Sequence, residues 1–303
     1  MRRSKVKSLS MMVVSMLIFG SIGVFRRVIP LPSAFLAFAR GILGGLFLLI
    51  RIRLRPGKGS GQLPAKSFLA LCLTGAMIGM NWMLLFEAYR YTTVAVATLC
   101  YYMQPTLVIL LSAVLFRERL TGTKAVCALV SVAGMVLVSG VIGSGASGSE
   151  SPTGILLGLG AAALYAGVVL MNKTVQVDDV YRKTTVQLFS AGITMIPYLL
   201  LTNGFSGLRF ELSTLLLLLL VGLVHTGIAY VLYFGSMSGL PVHTIAVLSY
   251  IDPVFALILS TLFLGEPFTP LQLAGAILII GSAVFAGISG ESRKSTAGHV
   301  SMQ

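Results

Sequence analysis

The sequence predicts an all-α membrane protein in which ten transmembrane helices form two inverted five-helix repeats around a central cavity. Three observations carry that prediction. First, 56% of the 303 residues are hydrophobic and 10% are charged, with a mean hydropathy of +0.94; soluble domains carry about 25% charged residues. Second, from Ala97 to Ile288 the chain repeats itself at a constant offset of 148 residues. TLCYYMQPTLVILLSAVLFRERLT aligns with AVLSYIDPVFALILSTLFLGEPFT, pairing Tyr102 with Tyr250, Pro105 with Pro253, Ser112 with Ser260, Glu118 with Glu266 and Thr121 with Thr269. Prolines and glutamates are rare in apolar runs, so their falling in register marks a duplication. Third, the 22 Lys and Arg residues divide unevenly between alternate loops, the pattern that orients a polytopic chain.

Each crossing of the hydrocarbon core takes about 20 apolar residues. Composition breaks place ten spans: 8–25, 33–50, 67–88, 92–115, 123–142, 153–173, 184–202, 212–236, 242–264 and 270–289. The first follows MRRSKVK and imitates a secretory leader, but no small-residue cleavage site follows, so it is expected to be retained. The second carries Gly41 and Gly45, and the sixth Gly154 and Gly158, the spacing that lets helix backbones approach closely in lipid. Five spans per copy make the second copy enter from the opposite face. The loops agree, because RERLTGTK after the fourth span is basic whereas GEPFTPLQ after the ninth has no Lys or Arg. The expected units are therefore a first repeat at 1–142, an external Gly/Ser-rich linker at 143–152, a second repeat at 153–290 and a disordered cytoplasmic tail at 291–303.

Seventeen of the cationic residues fall on the side of the termini, including the run in RIRLRPGKGSGQLPAK, which is also a candidate contact for anionic lipid. Arg26, Arg27, Arg90 and Arg209 fall on the other, and Arg40 lies within a span. The asymmetry predicts both termini in the cytoplasm and an integral protein of the plasma (inner) membrane. It also explains the net charge of +13 without nucleic acid, since interleaved short loops hold the charge. Cys72, Cys100 and Cys127 sit singly in different spans, a packing pattern rather than a metal site or disulfide framework. No cofactor or metal is implied.

Inside a bilayer the informative residues are polar ones, because each costs free energy that packing does not require. Asp252 precedes Pro253 in the ninth span, where the ring removes a backbone hydrogen bond and the helix can break. Gln104 precedes Pro105 in the same position of the first copy, without the charge. Asp252 reads as a proton-coupling carboxylate, a counter-charge for a cationic group, or a structural partner, and the sequence leaves all three open. Arg40 has no charged counterpart near Ala191 in the second copy. It can hold an anionic group of a substrate, pair with Asp252 or Glu87, or snorkel to the interface. His225 is a candidate pH-sensitive residue or a hydrogen-bonded structural one. Asn81, Trp82, Tyr101, Tyr102, Tyr165, Tyr230 and Tyr250 supply amphipathic lining. Tyr102, Pro105 and Ser112 share a helical spacing, as do Tyr250, Pro253 and Ser260. Glu118 and Glu266, at span ends, are expected to cap or bridge loops.

The stretch DPVFALILSTLFLGEPFTPLQLAGAILIIGSAVF, from Asp252 to Phe285, resembles the EamA-type branch of the drug/metabolite transporter superfamily. The likeness covers essentially the whole chain and rests mainly on Asp252-Pro253 and on Leu264, Gly265 and Glu266. Two positions depart from the family pattern: Arg117 stands where a glycine is expected, and Phe19-Gly20 where Trp-Gly is common. The resemblance implies ten helices, a central cavity, and movement of amino acids, nucleosides, sugars or other small metabolites, often outward.

The expected activity is secondary transport of a small polar solute by alternating access. Arg40 and Asp252 together favour an amino-acid-like zwitterion, and protons are the candidate coupling ion. The nearest approach to a phosphate loop, GSGQLPAKS, has Ser60 and Ala65 at glycine positions, which argues against an ATP-driven pump. An intramembrane enzyme would need clustered acids, histidines or a nucleophile beside a base, and the sequence scatters them singly. A sensor or channel would need a partner domain or a polar pore ring. The oligomeric state is not specified.

Overall fold

The computed structural model describes residues 2–54, 63–115, 122–138, 151–175, 177, 179–208, 210–237, 240, 245, 248–267 and 269–300. All elements among the described residues are helical: α1 (Arg2–Val28), α2 (Ser33–Arg53), α3 (Ala65–Tyr91), α4 (Val94–Tyr101), α5 (Gln104–Leu115), α6 (Gly122–Val138), α7 (Pro152–Thr174), α8 (Val180–Leu201), α9 (Leu212–Gly222), a π-helical turn (Leu223–Ile228), α10 (Ala229–Met237), α11 (Ile251–Leu264) and α12 (Pro270–Val300). Seven runs are long and apolar enough to cross a bilayer, among them Val94–Leu115 across the α4–α5 junction and Leu212–Ser236 across the π turn. Three shorter apolar helices, Ala125–Val138, Ile251–Leu264 and Pro270–Phe285, accompany them. Large apolar side chains such as Leu129, Leu201, Leu262 and Phe263 are exposed over this surface, which water would penalise and lipid does not. The chain is an integral membrane protein.

Local chemistry sets the helix ends. The Thr93 hydroxyl accepts the Val96 N–H at 3.1 Å, and the Asp179 carboxylate accepts from the N–H groups of Tyr181 and Arg182, so both act as N-caps. Pro152 opens α7, where the missing N–H costs nothing. At the end of α11, Gly265 takes a left-handed conformation with φ of 62°, which turns the chain so that Glu266 folds back over the helix.

Packing is dense where side chains are small. A Cβ on Gly41 of α2 would lie 2.6 Å from the Gly192 nitrogen of α8, and one on Gly20 of α1 would lie 2.5 Å from the Asp252 carbonyl oxygen of α11. α2 packs on α8, α3 on α7 and α8, α1 on α10 and α11, α4 and α5 on α7, and α6 on α12.

Several expectations meet a different outcome. In the stretch expected to be a tail, α12 extends as far as Val300, which does not decide between order and disorder there. No proline follows Pro270 and Glu291, Arg293 and Lys294 are strong helix formers. The spacing of Tyr102, Pro105 and Ser112 does not describe one continuous helical face, because a turn at Tyr102–Met103 separates α4 from α5. Arg117 and Glu118, residues 143–150 of the expected linker and all of 55–62 lie outside the described residues.

Candidate functional site

Both copies break at the same place. Tyr102 ends α4 with φ −74° and ψ 4°, and Tyr250 precedes α11 with φ −77° and ψ −4°. Each break lies just before an X–Pro pair, Gln104-Pro105 and Asp252-Pro253, where the proline ring cannot donate to the preceding turn. Broken helices at membrane depth are tolerated where they line a cavity or are buried in protein. Here they do line one: a cavity of about 190 Å³ has Tyr101, Tyr102 and Gln104 of the first copy and Asp252 and Ala256 of the second on its wall. Tyr165 from α7, Tyr230 and Tyr233 from α10, Phe19 and Gly20 from α1, and Trp82, Leu85 and Tyr89 from α3 complete the enclosure.

Arg40 enters this cavity from α2. It is buried, at 5% exposure. Its Nε donates to the Thr226 hydroxyl at 2.7 Å, and its guanidinium carbon lies 4.2 Å from the centre of the Trp82 ring and 5.8 Å from that of Phe86. The π turn makes this possible. Thr226 in turn donates to the Val221 carbonyl at 3.2 Å, a five-residue reach that the widened turn provides. Neither pairing expected for Arg40 forms, and it does not snorkel. Glu87 instead binds Arg90 at 2.8 Å and accepts from Ser33 at 2.6 Å, while Asp252 accepts from the Tyr102 hydroxyl at 2.6 Å. A buried guanidinium without an anionic partner among the described residues carries a desolvation cost that the aromatic faces only partly offset. An anion entering the cavity would complete it.

Seven of the ten candidates named from sequence meet at this cavity: Arg40, Tyr101, Tyr102, Gln104, Tyr165, Tyr230 and Asp252. Three do not line it. Asn81 is fully buried and its amide donates to the Ala161 carbonyl at 2.6 Å, so it ties α3 to α7. His225 has Nε2 at 2.9 Å from the Ser21 hydroxyl and its ring 4.8 Å from that of Phe25, joining the π turn to α1. Tyr250 stands off the lining with its ring 6.3 Å from that of Tyr102. Sequence reasoning missed Tyr89, Tyr233 and Thr226. The spacing of Trp82, Leu85 and Tyr89, three and seven residues apart on α3, was a signal for the first. Nothing local flags Thr226, because its role depends on a π turn that periodicity does not reveal.

Outside the cavity lining, three helix ends are tied together. The Glu266 carboxylate accepts from Arg27 Nη2 at 2.8 Å, from the Val94 N–H at 2.8 Å and from the Ser260 hydroxyl. Arg27 also donates to the Thr92 carbonyl at 3.0 Å. One carboxylate thereby joins α1, α4 and α11, the bridging role that its position at a span end suggested. Among the described residues, no group of three or more His, Cys, Asp or Glu side chains converges as a metal site would.

A polytopic helical protein whose broken helices surround a buried cation and a carboxylate belongs to the class that handles solutes within the bilayer. The model of the EamA-like transporter family matches residues 6–140 and again 152–288. The chain belongs to that family, within the drug/metabolite transporter superfamily. It is 31% identical over 288 residues to the uncharacterized transporter YxxF of Bacillus subtilis (strain 168), spanning 94% of this chain and 90% of that one. Protein PecM of Dickeya dadantii is 26% identical over 82% of this chain and 80% of its own length. The chloramphenicol-sensitive protein RarD of Pseudomonas aeruginosa is 26% identical over 70% and 68%. A crystal structure with 20% identity superposes over 96% of this chain and 98% of that chain with a TM-score of 0.64, a likeness of fold.

Proposed function

We propose that the protein is a secondary transporter that carries a small amino-acid-like solute, bearing both a cationic and an anionic group, across the plasma membrane by alternating access. The observation that carries the reading is the cavity in which Arg40, unpaired by any carboxylate among the described residues, and Asp252 share a wall of tyrosines. The guanidinium suits a carboxylate by its planar donor fork, and the carboxylate suits an ammonium, with the tyrosine faces adding cation–π attraction. Asp252 is also the group on which a proton would be carried.

Alternating access needs two halves that exchange roles, and the packing has that form. Adding or subtracting 148 converts α2 into α8, α3 into α9–α10, and α1 into α7. The packing of α3 on α7 then becomes that of α10 on α1, and the packing of α4–α5 on α7 becomes that of α11 on α1; both members of each pair occur. Such interchange is what a two-fold axis in the membrane plane produces, and it supports ten helices in two inverted halves. The cationic loops support termini in the cytoplasm. On that topology the Glu266 cluster belongs to the side away from the termini.

Purified protein in liposomes, loaded with one member of a solute panel and challenged with the same labelled solute outside, tests the reading. Saturable counterflow of a zwitterion, lost with Arg40→Gln and with Asp252→Asn, is the expected result. Flux of uncharged solutes alone, or flux indifferent to both substitutions, overturns it. Proton coupling is tested separately, by a pH gradient that drives uptake in the native chain and has no effect on Asp252→Asn.

A further inference from the structure

Beside the central cavity lies a second pocket of about 540 Å³, walled by Arg26 and Arg27 at the end of α1, by the Ile29–Pro32 segment, and by Tyr89 and Arg90 at the end of α3. Only four Lys or Arg residues belong to the loop set opposite the termini, and three of them converge here. Cations on that side oppose the orientation signal, so their gathering at one concavity calls for a reason beyond topology. Arg26 supplies it. The residue is 6% exposed, its Nη1 donates to the Ile29 carbonyl at 3.1 Å and its Nη2 to the Ser33 hydroxyl at 2.9 Å, while its Nε is buried with no hydrogen-bond partner. Among the described residues no carboxylate touches it directly: Glu87 reaches it only through Ser33 and is bound to Arg90. Tyr89 lines both this pocket and the central cavity, and its hydroxyl lies 3.2 Å from that of Thr98.

We propose that this pocket is an antechamber that binds the anionic group, a carboxylate or phosphate, of a soluble solute on its way to or from the central cavity, with Tyr89 as the shared wall. The inference rests on the transport reading but concerns a separate site. Arg26 holds the anion from the buried side, Arg90 from the exposed side, and Glu87 weakens binding by partly neutralising both.

Calorimetric titration with inorganic phosphate and with succinate, on protein in nanodiscs of phosphatidylcholine, tests the site without requiring transport, so a failure of counterflow leaves it standing and its own failure leaves counterflow standing. The Arg40→Gln background silences the central guanidinium. Saturable anion binding should persist there, weaken about tenfold with Arg26→Gln, as loss of a charge-assisted contact implies, weaken less with Arg90→Gln, and tighten with Glu87→Gln. Absence of saturable binding in Arg40→Gln overturns the proposal. If Arg26→Gln does not fold, the Arg90 and Glu87 variants decide, because the proposal requires shifts of opposite sign and equal affinities refute it. Repeating the titration with phosphatidylglycerol in the disc separates the sources of the anion. Unchanged affinity supports a soluble ligand, whereas competitive loss makes a lipid headgroup the occupant and overturns the antechamber.

Discussion

The two halves of the chain share a scaffold and divide the chemistry. Their broken helices have nearly the same backbone angles at Tyr102 and Tyr250, yet the residue before the following proline is Gln104 in one and Asp252 in the other. On α2 the first half carries Arg40, while the matching stretch of α8 carries Leu188 and Ala191, both buried. The cavity therefore draws its cation from one half and its carboxylate from the other. A scaffold that works by the proposed alternating access must present the same cavity to either side, which would keep its packing symmetrical. The proposed solute, with two different ends, would need only one site of each charge, leaving the polar residues free to diverge. Duplication explains the helices and divergence explains the site.

The largest effect should come from removing either charge. Arg40→Gln and Asp252→Asn are each expected to lower zwitterion counterflow about 100-fold, the scale of breaking a buried charged contact with a ligand. Moving the carboxylate to the other half probes the comparison more sharply. The double variant Gln104→Asp, Asp252→Gln keeps the composition, but the hydroxyl that orients Asp252 belongs to Tyr102, and its mate Tyr250 stands off the cavity. Counterflow by the double variant should stay near that of Asp252→Gln alone. Recovery to native flux would show that the halves are chemically interchangeable.

Much of the fold was legible because lipid imposes simple rules. Runs of apolar residues mark the spans, and the 148-residue offset marks their relation. The site was legible as far as polarity in an apolar run could reach: Asp252, Arg40 and the tyrosines stand out as costly. Partners were not legible. Arg40 meets Thr226 and Trp82, contacts across separations of 186 and 42 residues in which nothing local sets the register. His225 looked functional for the same reason as Asp252, but its buried ring fastens α1 to the π turn. A polar residue in a span can be a clamp as readily as a ligand, and only the neighbours distinguish them.

The next effect is structural and tests whether the halves meet as tightly as the small residues imply. Gly20→Val places a side chain against the Asp252 carbonyl and the Phe255 Cβ, 2.5 and 3.2 Å from the new Cβ. Backbone cannot move aside as a side chain would, so a loss of about 1–3 kcal/mol is expected, read as a lower midpoint of thermal unfolding in detergent. Gly281→Val, with nothing within 4 Å of its Cβ, is the control and should leave the midpoint near native. Smaller again is Glu266→Gln, whose carboxylate side chain is 11% exposed and whose partner Arg27 is 35% exposed. Loss of the ion pair should cost about 1 kcal/mol, while labelling of a cysteine placed at Thr98 should rise as the tie between α1, α4 and α11 loosens.

The smallest effect lies where α6 crosses α12, a pair that the 148-residue shift maps onto itself. The Ser131 and Ser282 hydroxyls are 2.6 Å apart. Ser282 also donates to the Ile279 carbonyl at 3.0 Å, so its proton is engaged and Ser131 is the donor between them. The shift turns this contact into Ile279 against Gly134, and that contact is present too: a Cβ on Gly134 would lie 3.0 Å from Ile279 Cγ1. One crossing thus holds a hydrogen bond on one side of its axis and an apolar contact on the other. Hydrogen bonds between helices in lipid contribute about 0.6 kcal/mol on average, because the separated helices find other partners. A double-mutant cycle of Ser131→Ala and Ser282→Ala should return a coupling of about that size in thermal stability. Ser131→Ala alone should cost little, since Ser282 keeps its carbonyl acceptor. A coupling of zero would mean that the crossing is held by the apolar side and the close glycines alone, and that its hydroxyls, like the charges in the cavity, record divergence after duplication rather than the packing of the ancestor.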